Sequence, residues 1–256
     1  MNILVCMKGV PSTGQVQVDG QFKLKRDGTK LEWNISDQAA LECALHLKGD
    51  QDTVTVLSMG PDKLRESMRE LLARGVDRCI LITDPAFAGS DTYATARILS
   101  AAIEHTCAFD LLLCGRRAVD GETGQVPGML SASLGIPCLT NVEKLSVSEQ
   151  KIHADRRLES GIQYISLPCP ALVSICEYTY TLRLPSIMGM RRAKNMTIET
   201  VTGKELGLTP DECGLKGSLT KVLSMDNKFP GLRKGPKVTD IHTGVAAITT
   251  FIKEVE

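Results

Sequence analysis

The 256-residue chain is poor in aromatic residues, carries no net charge and has no long apolar run. Phe, Trp and Tyr together make up 4% of it, so Leu, Ile, Val and Ala must supply the core. Lys plus Arg total 30 and Asp plus Glu total 30, which gives a formal charge of zero. That balance offers no reason to expect a nucleic acid or a membrane surface as partner. It also removes strong colloidal repulsion, which suits a chain with an obligate protein partner. No apolar run approaches the ~20 residues that cross a bilayer, so membrane insertion is not expected. The N-terminal MNILVCMKGVP is too short for a signal peptide and reads as a first strand.

Metal and nucleophile signatures are missing too. The nine cysteines include no C-x-x-C pair and no Cys/His cluster at ligand spacing, which excludes zinc and iron–sulfur binding within this chain. Cys6, Cys79, Cys114 and Cys176 sit in apolar runs and read as small buried hydrophobes. Unpaired thiols fit a reducing, cytoplasmic setting. The four histidines, His46, His105, His153 and His242, are scattered through predicted helices and loops and read as solvated or structural. With no Ser/His/Asp or Cys/His arrangement, no catalytic residue is assigned.

What is present centres on Asp110–Gly128, DLLLCGRRAVDGETGQVPG. The apolar run Leu111–Cys114 predicts a buried parallel strand. A polar loop containing Gly115, Gly121, Gly124 and Gly128 follows, and then Met129–Leu134 is helix-compatible. Strand, Gly-rich loop and helix is the order in which an α/β sheet offers backbone N–H groups to a phosphate. The loop is neither a P-loop nor a G-x-G-x-x-G fingerprint. By itself it is equally readable as an ordinary polar loop over a strand end.

In chain order, Asn2–Met7 predicts strand one, and Asp27-Gly28 marks a hairpin turn within an antiparallel excursion. A helix from Asn34–Asp37 to about Lys48 is capped by Ser36 or Asp37. Thr53–Met59 is a strand, Leu64–Arg74 a helix and Arg78–Thr83 a strand. Gly89-Ser90-Asp91-Thr92 caps the next helix. The first ~135 residues therefore predict a doubly wound, mostly parallel α/β sheet, whose ligand lies at the carboxyl ends of the strands. Val142–Val147, Lys151–Arg156, Ile162–Leu167 and Ala171–Cys176 predict an antiparallel extension. From Tyr178 to Lys194 the apolar residues lack a period, and a packed irregular segment is favoured over a docking surface. Residues 201–240 hold too few aliphatics for a core of their own. They predict an arm lying across another body and ending in a helix from about Gly244 to Val255.

Several ordered motifs make the chain resemble the β subunits of electron-transfer flavoproteins over nearly its whole length. They are LVCMKGVP, NISDQAALECAL, LSMGP, CGRRAVDGETGQVPG, LPCPALVSI and LRLPSIMGMRRAK. The resemblance implies an adenine-nucleotide-hydrolase-like fold in a heterodimer with an α subunit that carries FAD. It implies a nucleotide-binding domain at 1–195, with a partner-recognition loop at 178–195, and an arm at 196–256 that packs on the α subunit. The implied nucleotide-site residues are Cys6, Asn34, Ile35, Ser36, Asp37, Met59 and the run Gly115, Arg116, Arg117, Ala118, Val119, Asp120, Gly121, Glu122, Thr123, Gly124, Gln125 and Val126. Cys6 and Met59 would wall an adenine ring, Asn34 would offer it a donor and an acceptor, and Thr123–Val126 would present N–H groups to phosphate. Leu184 would anchor docking, with Pro185, Ile187 and Met188 beside it. One branch of the family holds a structural AMP in this site. Another holds a second FAD, which splits the electrons of NADH between two paths, ferredoxin being one acceptor. The phosphate loop here lacks the AMP branch's Asn-Gln-Thr-Gly run and is closer to the D-G-D-T-A-Q-V form of the bifurcating branch. Glu122 and Gly124 depart from that form. Ala86–Ala96 is similar to a segment of the same branch and would bring Asp91, Thr92 and Thr95 near a flavin ring. FAD is accordingly favoured over AMP in this subunit, with a flavoprotein dehydrogenase as redox partner. A plain helix cap remains the other reading of Asp91-Thr92. Arg116 and Arg117 can face either a diphosphate or Asp120. A stand-alone nucleotide-binding enzyme of this architecture would need a phosphate loop after strand one, which Lys8-Gly9-Val10-Pro11 does not supply.

Overall fold

The computed structural model describes residues 1–12, 30–106, 108–149, 151–221 and 240–255. The hairpin turn expected at Asp27-Gly28 lies outside them. Two compact units are present, Met1–Lys221 and Val222–Glu256.

In the first unit the strands are β1 (Asn2–Cys6), β2 (Gly9–Pro11), β3 (Leu31–Trp33), β4 (Thr53–Met59), β5 (Arg78–Ile82), β6 (Leu111–Gly115), β7 (Cys138–Ser148), β8 (Lys151–Leu158), β9 (Gly161–Pro168), β10 (Ala171–Ile175) and β11 (Glu199–Val201). The helices are α1 (Ile35–Leu47), α2 (Leu64–Ala73), α3 (Thr92–Thr106), α4 (Val126–Leu134), α5 (Ile187–Lys194) and the single turn α6 (Gly214–Gly217). Nine strands form one sheet in the order β11-β5-β4-β1-β6-β10-β7-β8-β9, and β2 pairs with β3 separately. From β11 across to β7 every pairing is parallel, while β8 and β9 are added antiparallel.

Helices cover both faces of the parallel part. Ile3, Val5, Val54, Val56, Leu111, Leu113, Val173 and Ile175 pack with Leu41, Leu45, Met68 and Leu72 of α1 and α2. Leu4, Cys6, Ile80, Ile82, Leu112, Cys114 and Leu172 pack with Ile98, Leu99 and Leu130 of α3 and α4. Side-chain alternation along each strand splits the aliphatics into these two layers, as a strand buried on both faces requires. No helix among the described residues is long and apolar enough to cross a membrane.

Three expectations are corrected. Ala171–Cys176 does not join the antiparallel extension, because β10 runs parallel between β6 and β7. All five of its residues are buried, which fits a strand covered on both faces. The segment after Tyr178 contains α5, which buries Ala193 and otherwise docks by backbone approach. A Cβ at Gly189 would lie 2.1 Å from the Ala73 carbonyl oxygen, so glycine is required there. Arg69 donates to the Ala193 carbonyl (2.9 Å) at the end of α5, and Arg192 donates to the Leu72 carbonyl (3.1 Å) in α2. Residues 199–221 are not a loose arm, since β11 pairs with β5 and they belong to the first compact unit. In the second unit, α7 (Ile241–Val255) carries exposed Ile241, Val245, Ile248, Phe251 and Ile252.

Candidate functional site

From β1 the chain winds outward to β4 and β5, then crosses back to β6 on the other side of β1. The connections above β1 and β6 therefore diverge, and this switch point is where open α/β sheets place ligands. Cys6 and Cys114 are in register there and share the α3/α4 face, with only 8% and 5% of their surface exposed. A hydrogen bond between the two sulfurs, reinforced by burial, pushes the Cys114 thiol well above its ordinary range. Met59 ends the neighbouring β4.

Asp37 holds the two strand ends together. Its carboxylate accepts from the Lys8 backbone N–H at 2.7 Å and from the Gly115 N–H at 3.1 Å. Burial pushes its pKa up to about 7, against the opposing pull of those N–H groups. Gly115 is required for this approach, because a Cβ would stand 2.2 Å from Asp37 Oδ1 and 2.7 Å from the Ser36 carbonyl carbon. Neither Ser36 nor Asp37 caps α1. The N-cap is Asn34, and its side chain makes no capping bond.

The buried Asn34 side chain shapes the Gly115–Val126 loop instead. Its Nδ2 donates to the Arg117 carbonyl (2.9 Å) and its Oδ1 accepts from the Val119 N–H (3.1 Å). The donor and acceptor expected to meet a base thus meet loop backbone. Lys8 Nζ bonds Asp120 Oδ1 at 2.7 Å and ties the loop to the end of β1. Neither arginine faces Asp120, which takes Lys8, and Arg116 forms a two-pronged pair with Glu177. Arg117 reaches Glu177 only at 3.7 Å. The Arg116 hydrogen bond holds Glu177 below the usual carboxylate range. Ala118 accepts from the Glu122 N–H (2.8 Å), and Glu122 and Gly124 adopt φ of 51° and 62° as the loop turns toward α4.

Helix α4 begins at Val126, three residues earlier than its apolar pattern suggested. Met129 makes the first helical bond, to the Gln125 carbonyl (3.0 Å), so the N–H groups of Val126 and Gly128 have no intrahelical acceptor. The N-terminus of α3 adjoins them, with Thr92 Oγ1 3.4 Å from Gln125 Oε1 and Thr95 one turn further. Asp91 is a cap, as the plainer reading held. It accepts from the Ala94 N–H (3.0 Å) and also from Thr220 N and Oγ1 (both 2.9 Å).

Beside the loop lies a cavity of about 330 Å³ lined by Arg116, Arg117, Glu122, Thr123, Gly124, Thr140, Asn141 and Ser174. The last three come from β7 and β10 and were not anticipated. The structure thus brings together Cys6, Asn34–Asp37 and Gly115–Val126. A loop shaped by Asn34, free amides at the start of α4 and a polar cavity beside them fit a nucleotide.

The electron transfer flavoprotein domain model matches residues 21–206. The chain belongs to the electron transfer flavoprotein β-subunit family. The β subunit of Thermoanaerobacterium thermosaccharolyticum is 41% identical over 88% of this chain and 87% of its own length. Subunit CarD of the caffeyl-CoA reductase–Etf complex of Acetobacterium woodii is 36% identical over 87% of this chain and 86% of its own. The β subunit of Mycobacterium tuberculosis is 31% identical over 98% and 97% respectively. Family membership implies an α-subunit partner.

The segment that resembles the family's recognition loop lies between β10 and β11. Leu184, Ile187 and Met188 are 85%, 71% and 81% exposed, and Pro185 is half-buried. The packed reading fails for these residues and holds for Tyr180 and Leu182, which rest on the core. Arg183 is fixed to Glu42 of α1 (2.8 Å), and Arg74 donates to the Arg183 carbonyl (3.1 Å), so the apolar tip stands on a braced base.

Proposed function

We propose that this chain works with an α subunit to pass electrons between a flavoprotein dehydrogenase and another redox carrier. In this reading FAD occupies the switch-point site, takes electrons from NADH and divides them between two acceptors. The observation that carries it is the convergence of the α3 and α4 N-termini at Thr92 and Gln125 beside the Gly-rich loop. Two positive helix ends suit a diphosphate better than a single terminal phosphate. The likeness to CarD, a subunit of a caffeyl-CoA reductase–Etf complex, supports a redox enzyme as partner.

Bound FAD would supply reversible uptake and release of electrons. The chain's own residues position and shield. Val126 and Gly128 N–H groups would hold phosphate, Cys6 and Met59 would wall a ring, and Asp37 and Asn34 fix the strand ends and the loop in place. Thr92 and Thr95 would meet the ligand from α3. Leu184, Pro185, Ile187 and Met188 would dock the partner flavoprotein. The apolar side of α7, with Ile241, Val245, Ile248 and Phe251 at helical spacing, would lie on the α subunit.

The deciding measurement is flavin content of the purified heterodimer. Two FAD per heterodimer support the proposal, whereas one FAD with AMP released on denaturation replaces it by a structural-nucleotide role.

A further inference from the structure

The cavity beside the phosphate loop is built around an irregularity in the sheet. Val173 of β10 pairs with Leu139 of β7, but Ile175 pairs with Val142, so β7 holds one more residue than β10 across this step. Such bulges re-aim side chains and recur beside ligand sites. Here the bulged residues are Thr140 and Asn141, and Asn141 is left-handed with φ 60°. Opposite them Ser174 is 1% exposed and accepts from the Asn141 N–H at 3.4 Å. Ser174 is in register with Cys114, which is in register with Cys6. The three side chains form one row on the α3/α4 face, running from the switch point into the cavity.

Charge decides what this cavity suits. Arg116 is neutralised by Glu177 through two hydrogen bonds. Arg117 retains N–H donors, since its 3.7 Å contact with Glu177 is longer than a hydrogen bond. Glu122, which also lines the cavity, offsets its charge. With Arg116 paired to Glu177, the charges of the lining side chains offset, and Arg156 donates to the Thr140 hydroxyl at 3.4 Å rather than lining the cavity; such a lining has little preference for a phosphoryl group. An amide, three hydroxyls, an acid and a guanidinium instead supply matched donors and acceptors, which vicinal hydroxyls satisfy because each both gives and takes a hydrogen bond.

We infer that Asn141, Thr140 and Ser174 form a polyol subsite that binds the vicinal hydroxyls of the nucleotide held at the switch point. The inference rests on the nucleotide reading and adds to it the part of the ligand that reaches past the loop. Those hydroxyls belong either to a ribose or to the ribityl chain of a flavin.

Calorimetry on the nucleotide-stripped heterodimer with AMP, 2′-deoxy-AMP and FAD separates the two. Asn141→Gly removes the amide and keeps the left-handed backbone, while Ser174→Ala removes the hydroxyl and leaves the bulge alone. If a ribose is held, 2′-deoxy-AMP binds roughly tenfold more weakly than AMP, equivalent to about 1.4 kcal/mol, and Asn141→Gly abolishes the difference. If a ribityl chain is held, AMP and 2′-deoxy-AMP bind alike, and both variants weaken FAD severalfold without changing AMP. Equal AMP and 2′-deoxy-AMP affinities together with unchanged FAD binding in both variants overturn the subsite and leave the nucleotide reading standing. Failure of wild type to bind either AMP or FAD removes both.

Discussion

The strand ends at the switch point and the segment from Tyr178 to Lys194 belong to the same compact unit, yet their side chains are disposed in opposite ways. At the switch point the polar groups face inward. Asn34, Asp37 and Lys8 each bond a neighbouring strand end or loop, and the apolar neighbours are buried. In the segment from Tyr178 to Lys194, Arg183 and the Gly189 backbone brace the base, and Leu184, Ile187 and Met188 face solvent. The first arrangement fixes a shape at the cost of burying a carboxyl. The second fixes a backbone so that apolar area stays available. The two regions thus draw on the same device, a polar side chain bonded to distant backbone, one to close a cleft and the other to hold apolar side chains in solvent.

The contrast breaks most severely at Gly115. Gly115→Ala forces a Cβ into the Asp37 carboxylate and the start of α1, neither of which can yield cheaply. Thermal and urea unfolding should register a loss of about 2–3 kcal/mol, and nucleotide should be lost from the purified heterodimer. A variant as stable as wild type would mean that α1 can slide away from β6.

Asp37→Asn tests the buried carboxyl by pH. The folded-state pKa of about 7 lies above the ordinary carboxylate value of 3.8, so the folded form holds the proton more tightly than the unfolded chain. The stabilisation is fully present below pH ~4 and is lost as pH rises through 7, because an ionised carboxylate in that position is costly. Wild type should therefore lose stability relative to Asp37→Asn between pH 4 and pH 7. A constant difference across that range would show that the Lys8 and Gly115 N–H groups keep the carboxylate ionised.

Glu177→Gln has a smaller effect. The Arg116 pair is a third exposed on the arginine side, so its removal should cost about 1 kcal/mol or less. Hydrogen exchange should quicken at Arg116–Gly121, and an unchanged exchange pattern would assign the whole restraint to Asn34 and Lys8. Smallest in stability is Leu184→Ala, expected within about 0.5 kcal/mol of wild type. It should slow electron exchange with the partner flavoprotein severalfold while bound nucleotide stays unchanged. Loss of nucleotide instead would place Leu184 among the packing residues.

Much of this architecture can be read from the sequence, for identifiable reasons. Strands β1, β4, β5 and β6 are apolar runs closed by polar or Gly/Pro residues, α2 and α3 carry apolar stripes, and α1 is buried around most of its circumference, so local pattern and tertiary role agree. Helix α5 was hidden because Gly189 and two arginines dock it in place of aliphatics. Strand β11 was hidden because Val201 is its one buried residue. The parallel direction of β10 follows from where it inserts, which periodicity does not encode. At the site, the Gly115–Val126 loop announces itself by its glycines. The function of the Asn34 side chain, and the arrival of Thr140, Asn141 and Ser174, depend on long-range register and a bulge that no local motif marks.

The segment from Tyr178 to Lys194 leaves the sheet at β10 and returns to it at β11, at positions several strands apart. It is a bridge with both abutments in the sheet, spanning the face that α1 and α2 cover. A partner meeting Leu184 and Met188 meets a surface whose conformational freedom was already given up when the protein folded. Little ordering entropy is then left for the encounter to overcome, so a contact of modest area can form and release quickly. If the proposed role holds, and the chain exchanges electrons with one protein and then with another, rapid turnover of the contact matters more than its strength.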